Sequence, residues 1–196
     1  MNLVMLGPPG AGKGTQAARL SQTYRIPTIA TGDILRAQAA AGTPLGQRSR
    51  PVLDRGELIP DEFVIDIIRD RLLDPDTRRG FVLDGSPRTV PQARALDALL
   101  GELDRPIDFV LYLDVGDPKT LVERLSLRAE LDGRSDDRPD VIGRRIDVFL
   151  AQTAPLIDYY REQGKLRSID GDQPPDRVFR SIEVALASGP EQTQAS

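Results

Sequence analysis

The stretch that most limits this chain is MNLVMLGPPGAGKGTQ at its amino end, where a short apolar run at 3–6 opens at once into Gly7, Gly10, Gly12 and Lys13. Glycines at that spacing let the backbone come close to an anion and turn several N–H groups toward it. Lys13 adds a point charge, and the amphipathic segment 16–24 that follows presents the positive end of a helix. The pattern predicts a phosphate-binding loop between a strand and a helix, with Gly10, Ala11, Gly12, Lys13, Gly14 and Thr15 as its contacts. One position departs from the usual form: the residue after the lysine is normally Ser or Thr, and here it is Gly14, with the hydroxyl one later at Thr15. A magnesium ion is then less readily held by the loop itself, and other groups or water must serve it.

Short apolar runs rich in β-branched residues recur at 26–29, 81–83, 109–115 and 166–169. Longer segments of helical period lie between them, such as 61–73 with Phe63, Val64, Ile67, Ile68 and Leu72 on one side. Strands that alternate with helices and are apolar on both faces predict an α/β fold, a five-stranded parallel sheet flanked by helices in three layers. Helices are expected to start after Thr31, after Asp61, after Thr89 and at Pro118. Residues 1–187 read as one core carrying two appendages, an Ala- and Arg-rich helical insertion at 30–59 and a short polar excursion at 128–138; 188–196 reads as a disordered tail.

The chain has 196 residues with no Cys and no His, which removes disulfides, thiolate zinc sites and imidazole catalysis; zinc is not expected. A formal charge of −4 argues against general nucleic-acid binding and against a polybasic membrane anchor. There is no apolar run long enough to span a bilayer and no basic leader, so a cytoplasmic protein is expected. Only Lys13, Lys119 and Lys165 are lysines among 26 basic residues, so a single arginine is weak evidence for a site. The Asn/Thr-Lys-x-Asp element that guanine-selective switch proteins rely on is missing, since no lysine is followed two residues later by Asp.

Further motifs carry chemistry. In TGDILR, 31–36, Thr31 and Asp33 stand at a strand end and Arg36 on the helix beyond, facing a cleft beside the loop, although alone the trio also suits a capped surface helix. In FVLDGSPRT an apolar strand ends in Asp84 and Gly85, which sets a carboxylate at the carboxyl edge of the sheet, where ligands bind. Asp84 is a natural partner for Mg²⁺ through water, with Asp33 helping to hold the same water shell, because Mg²⁺ carried by phosphates keeps several waters. Arg88 is placed to clamp a phosphate bidentately. Gln92 offers an amide that complements adenine's N1 and N6, yet an amide can rotate to suit guanine too. Arg124 and Arg128 lie four apart on one helical face, ahead of GRSDDR at 133–138 and Arg145.

GPPGAGKGTQ, TGDILR, DGSPRT and GRSDDR, in that order and spacing, resemble the motifs of the adenylate kinases, over nearly the whole chain up to about 186. The resemblance implies a P-loop kinase fold with a helical AMP-binding insertion and a short lid, acting as a monomer on ATP, AMP and ADP with Mg²⁺ and keeping adenine nucleotides in balance. It implies that Thr31, Arg36, Glu57, Leu58, Ile59, Gly85, Ser86, Arg88 and Gln92 line the AMP site. It gives Arg124 the adenine face of ATP, Arg128 its phosphates and Gln173 a backbone contact to its base. Arg134, Asp136, Asp137 and Arg145 would close over the phosphates being exchanged, with Arg134 and Arg145 also reaching AMP. Where the family usually has an aromatic residue, this chain has Ser86. The residues alone leave open a UMP/CMP kinase, a P-loop kinase of a small hydroxylated metabolite using Asp33 as base, and a noncatalytic nucleotide sensor.

Overall fold

The computed structural model describes residues 1–132 and 135–188. Five strands, β1 (Asn2–Leu6), β2 (Thr28–Ala30), β3 (Phe81–Asp84), β4 (Phe109–Asp114) and β5 (Leu166–Asp170), form one sheet in the order β2-β3-β1-β4-β5. Every adjacent pair is parallel, as the alternation of apolar runs and helices predicts. β1 is central: Leu3 stands opposite Val82 on one side and Phe109 on the other.

Alternate residues of the strands feed two separate cores. Val4, Leu6, Phe81, Leu83 and Val110 point to one face, and Leu3, Met5, Val82, Leu111 and Leu113 to the other, which is why these strands read as continuous apolar runs. The first face is covered by α4 (Asp61–Leu72), α5 (Val90–Glu102) and α8 (Pro155–Glu162), through Ile68, Leu96 and Leu156. The second is covered by α1 (Lys13–Tyr24), α6 (Pro118–Asp132) and α9 (Pro175–Ala187), through Leu20, Leu121 and Ile182.

Several boundaries differ from expectation. The second strand is Thr28–Ala30 rather than 26–29, with Pro27 joining the ladder only as an acceptor, its carbonyl taking the Val82 N–H at 2.9 Å. The insertion at 30–59 consists of α2 (Thr31–Ala40), starting at Thr31 itself, and α3 (Pro44–Asp54), whose cap Thr43 accepts from the Gly46 N–H. α5 starts after Thr89 as predicted, the threonine hydroxyl accepting from the Gln92 N–H. The excursion at 128–138 is shorter than expected, because α6 runs on to Asp132; a single 3₁₀ turn, Ser135–Asp137, precedes α7 (Pro139–Val148). Arg134 lies outside the described residues, and so does the expected tail beyond Ser188.

Chain order reverses beside β1: β3 lies on one side of it and β4 on the other, so the loop leaving β1 opens at the carboxyl edge between them. Since Leu83 of β3 is wholly buried under that edge, Leu83→Ala is expected to lower the unfolding free energy by about 3 kcal/mol in denaturant titrations. A loss below about 1 kcal/mol would contradict this packing.

Candidate functional site

Between the end of β1 and the start of α1 the backbone turns through left-handed conformations at Gly10 (φ 85°) and Gly12 (φ 89°). A side chain at Gly10 would also run into the Leu121 carbonyl, its Cβ only 2.9 Å away, so the loop can lie flat on α6 only with glycine there. Gly12 is the N-cap of α1, which brings the helix's free N–H groups to the cleft floor. The cleft has a volume of about 520 Å³ and is lined by Gly10 to Thr15, by Asp33 and Arg36, by Asp84, Gly85 and Arg88, and by Arg124, Arg128, Arg145 and Gln173. The sequence motifs therefore converge on one space.

The missing hydroxyl of the loop has a structural counterpart. A Cβ placed on Gly14 would come 3.4 Å from Asp84 Oδ2, so the β3 carboxylate stands beside the place where the usual Ser or Thr would project. With Thr15 and Asp33 also on the cleft, the donor set is hard oxygen and suits Mg²⁺. Among the described residues no group of three or more acidic side chains could hold a metal ion.

Cations crowd the other walls. Lys13 Nζ donates to the Gly7 and Pro8 carbonyls at 2.8 and 2.9 Å. Burial pushes its ammonium down from 10.5 to about 7; Asp84 opposes the shift, and Arg88, Arg145 and Arg128 add to it. Part of the Lys13 side chain still faces the cleft, within reach of an incoming anion. Arg88 is pushed down to about 10, first by burial and then by Arg145, while its Nε donates to the Gly85 carbonyl at 2.7 Å. Burial also lowers Arg145, with Asp136 and Asp137 holding it up.

Asp136 and Asp137 are the anions of this cage. Fully buried Asp137 takes both Nε and Nη2 of Arg128, at 2.5 and 2.7 Å, and is bonded to Arg145 as well. Asp136 Oδ2 lies 3.2 Å from Arg145 and 3.5 Å from Arg36, which also pairs with Asp33 at 2.5 Å. The two appendages meet through Arg36 and Asp136, and Arg144 of α7 holds Glu57 at 2.6 Å. Arg124 reaches the Gly171 carbonyl at 3.1 Å, and so stands beside the loop that carries Gln173.

A smaller recess of about 50 Å³ branches from the cleft between α2 and α5. Thr31, Leu58, Ile59, Ser86 and Gln92 line it, as does Glu57, whose carboxylate is engaged by Arg55 and Arg144. Ser86 Oγ and Thr31 Oγ1 lie 2.9 Å apart, so the serine answers the Thr31 hydroxyl where the family usually places a ring. Sequence reading missed Asp61 and Thr153: Asp61 bonds Gln92 at 2.7 Å, and Thr153 donates to the Arg88 carbonyl at 2.8 Å. Asp61 was visible only as a helix start, and no pattern marks Thr153.

An anion in the cleft is expected to raise the proton affinity of Lys13 again. With the Lys13 ammonium pushed down to about 7, binding of inorganic tripolyphosphate at pH 8 is expected to take up about one proton per chain once the ligand's own proton release is subtracted. Affinity should fall as pH rises from about 7 toward the ordinary lysine value of 10.5. Calorimetry in two buffers of different ionisation heat measures the uptake, and none at pH 8 would contradict the crowding.

The sequence model of the family described as adenylate kinase matches residues 5–165. The chain is 49% identical over 186 residues to the adenylate kinase of Xanthomonas campestris pv. campestris (strain B100), covering 95% of this chain and 99% of the relative. It is 51% identical over 187 residues to the adenylate kinase of Caulobacter sp. (strain K31), covering 95% and 98%. A match over most of the chain, on a fold that gathers the family's motifs around one cleft, means that the protein belongs to the adenylate kinase family of phosphotransferases.

Proposed function

We propose that the chain transfers the terminal phosphoryl group of ATP reversibly to AMP, giving two ADP. The observation that carries this reading is the convergence of Lys13, Arg88, Arg128 and Arg145 on one cleft with the Gln92 recess at its side. A phosphate oxygen of AMP attacks the terminal phosphorus of ATP, and the bond to the bridging oxygen of the leaving ADP breaks. The nucleophile is ionised near neutral pH, so a chain without His or Cys lacks nothing it needs. Rate then comes from alignment and from charge placed along the transferred group.

In this reading the loop from Gly10 to Thr15 and the α1 N-terminus hold the ATP phosphates, Arg124 covers its base, and the Gln173 backbone meets the base edge. Arg36 and Arg88 hold the AMP phosphate, Gln92 its base, and Thr31, Glu57, Leu58, Ile59, Gly85 and Ser86 the surrounding wall. Arg128, Arg134 and Arg145 surround the group in flight. Asp136 and Asp137 hold Arg128 and Arg145 in place until phosphate replaces them. Asp84 and Asp33 hold the water shell of Mg²⁺, which supplies charge neutralisation on the phosphates when bound. The insertion 30–59 closes over AMP and the segment 128–138 over ATP, keeping water from competing as acceptor. Action as a cytoplasmic monomer is the family expectation, and among the described residues no helix is long and apolar enough to cross a membrane.

A coupled assay with Mg-ATP and AMP, UMP, CMP or GMP tests this. AMP should exceed the pyrimidine monophosphates by about 10²-fold or more in kcat/KM, and a chelator should abolish turnover. Faster turnover of UMP or CMP would overturn the assignment of the recess.

A further inference from the structure

A carboxamide on its own is a poor judge of purines. It pairs with a 6-aminopurine in one orientation, accepting from the amino group and donating to N1, and with a 6-oxopurine after a half-turn that exchanges its ends. Gln92 is 1% exposed, so its ends are set by what surrounds them. Oε1 accepts from the Arg88 backbone N–H at 2.8 Å, and Nε2 donates to Asp61 Oδ1 at 2.7 Å. An N–H can only donate and a carboxylate can only accept, so these partners choose the orientation by their chemistry.

The choice is reinforced by a closed ring. The Thr89 hydroxyl accepts from the Gln92 N–H at 3.1 Å, which leaves its own proton for Asp61 Oδ2, also at 3.1 Å. Asp61 thus receives two donors, one from the Thr89 cap of α5 and one from the Gln92 amide in the turn above it. Turning the amide over would set Oε1 against the Asp61 carboxylate and the amino group against the Arg88 N–H, leaving both ends buried without partners. As the amide stands, one N–H and one oxygen lone pair remain to offer the recess.

We infer that Asp61 is a positioning residue for base selection: it locks the Gln92 carboxamide in one orientation, so that a recess taking a 6-aminopurine monophosphate in that orientation refuses a 6-oxopurine one. This rests on reading the recess as the site of the acceptor's base. Asp61 lies on α4, outside every motif of the loop and the arginine cage, and it touches no substrate in this account.

The test is the ratio of kcat/KM for AMP to that for IMP in wild type and in Asp61→Asn. Asparagine can present either an acceptor or a donor to Gln92, so the lock loses its direction while the Arg88 N–H keeps half of it. The ratio should fall about tenfold, mainly through a gain for IMP in kcat/KM. In a Gln92→Leu background the same Asp61→Asn change should move the ratio less than about twofold, since there is no amide left to orient. Should the variants fail to fold, the wild-type Gln92 side-chain amide must show an NMR order parameter near the rigid-backbone value of about 0.85, and one below about 0.6 overturns the lock. Equal losses for AMP and IMP that leave the ratio unchanged overturn Asp61's role alone. A wild type indifferent between AMP and IMP overturns both that role and the reading of the recess.

Discussion

Cations taken out of water lose proton affinity, and the cleft of this protein is organised around that burial, with repulsion between like charges added to it. Burial lowers the proton affinity of Lys13, Arg88 and Arg145; Arg88, Arg128 and Arg145 each add to the effect on at least one other member of the set, while Asp84, Asp136 and Asp137 oppose it. Guanidiniums stay charged when buried, whereas a buried ammonium can yield its proton, and Lys13 is pushed down to about 7. A polyphosphate bound as proposed would relieve every member of the set at once. The described cations thus stand in the cleft before any anion arrives, which is what electrostatic preorganisation of the proposed site requires.

The sheet makes this crowding affordable. β1, β3 and β4 are sealed on both faces by separate apolar cores, so their carboxyl ends deliver the glycine loop and Asp84 to fixed places. Gly14 and Asp84 form a matched pair within that frame. A Cβ at 14 would come within 3.4 Å of the Asp84 carboxylate, which in the proposed reading would supply the oxygen that the loop lacks.

The central part of this arrangement was legible in the sequence because it is local. A strand running into glycines and a lysine, an apolar run ending in Asp84, and arginines four apart each need only neighbouring residues to be recognised. Contacts between distant segments were not legible. Glu57 with Arg144 and Arg36 with Asp136 join elements far apart in the chain, and nothing in composition pairs one arginine with one acid among 26 basic residues and 30 acidic ones. The helical continuation from Arg128 to Asp132 was hidden by charged residues that favour helix and solvent equally. Asp61 read as a helix start because its partner lies one helix away.

The account depends most on the ammonium at the foot of the loop, and Lys13→Met removes the charge while keeping much of the side-chain length. Steady-state turnover of Mg-ATP and AMP by the folded variant, with folding checked by thermal melting, is the direct test. A fall in kcat of about 10³-fold or more with an intact fold is the predicted result. Turnover within a few-fold of wild type would contradict the claim that placed charge drives the transfer.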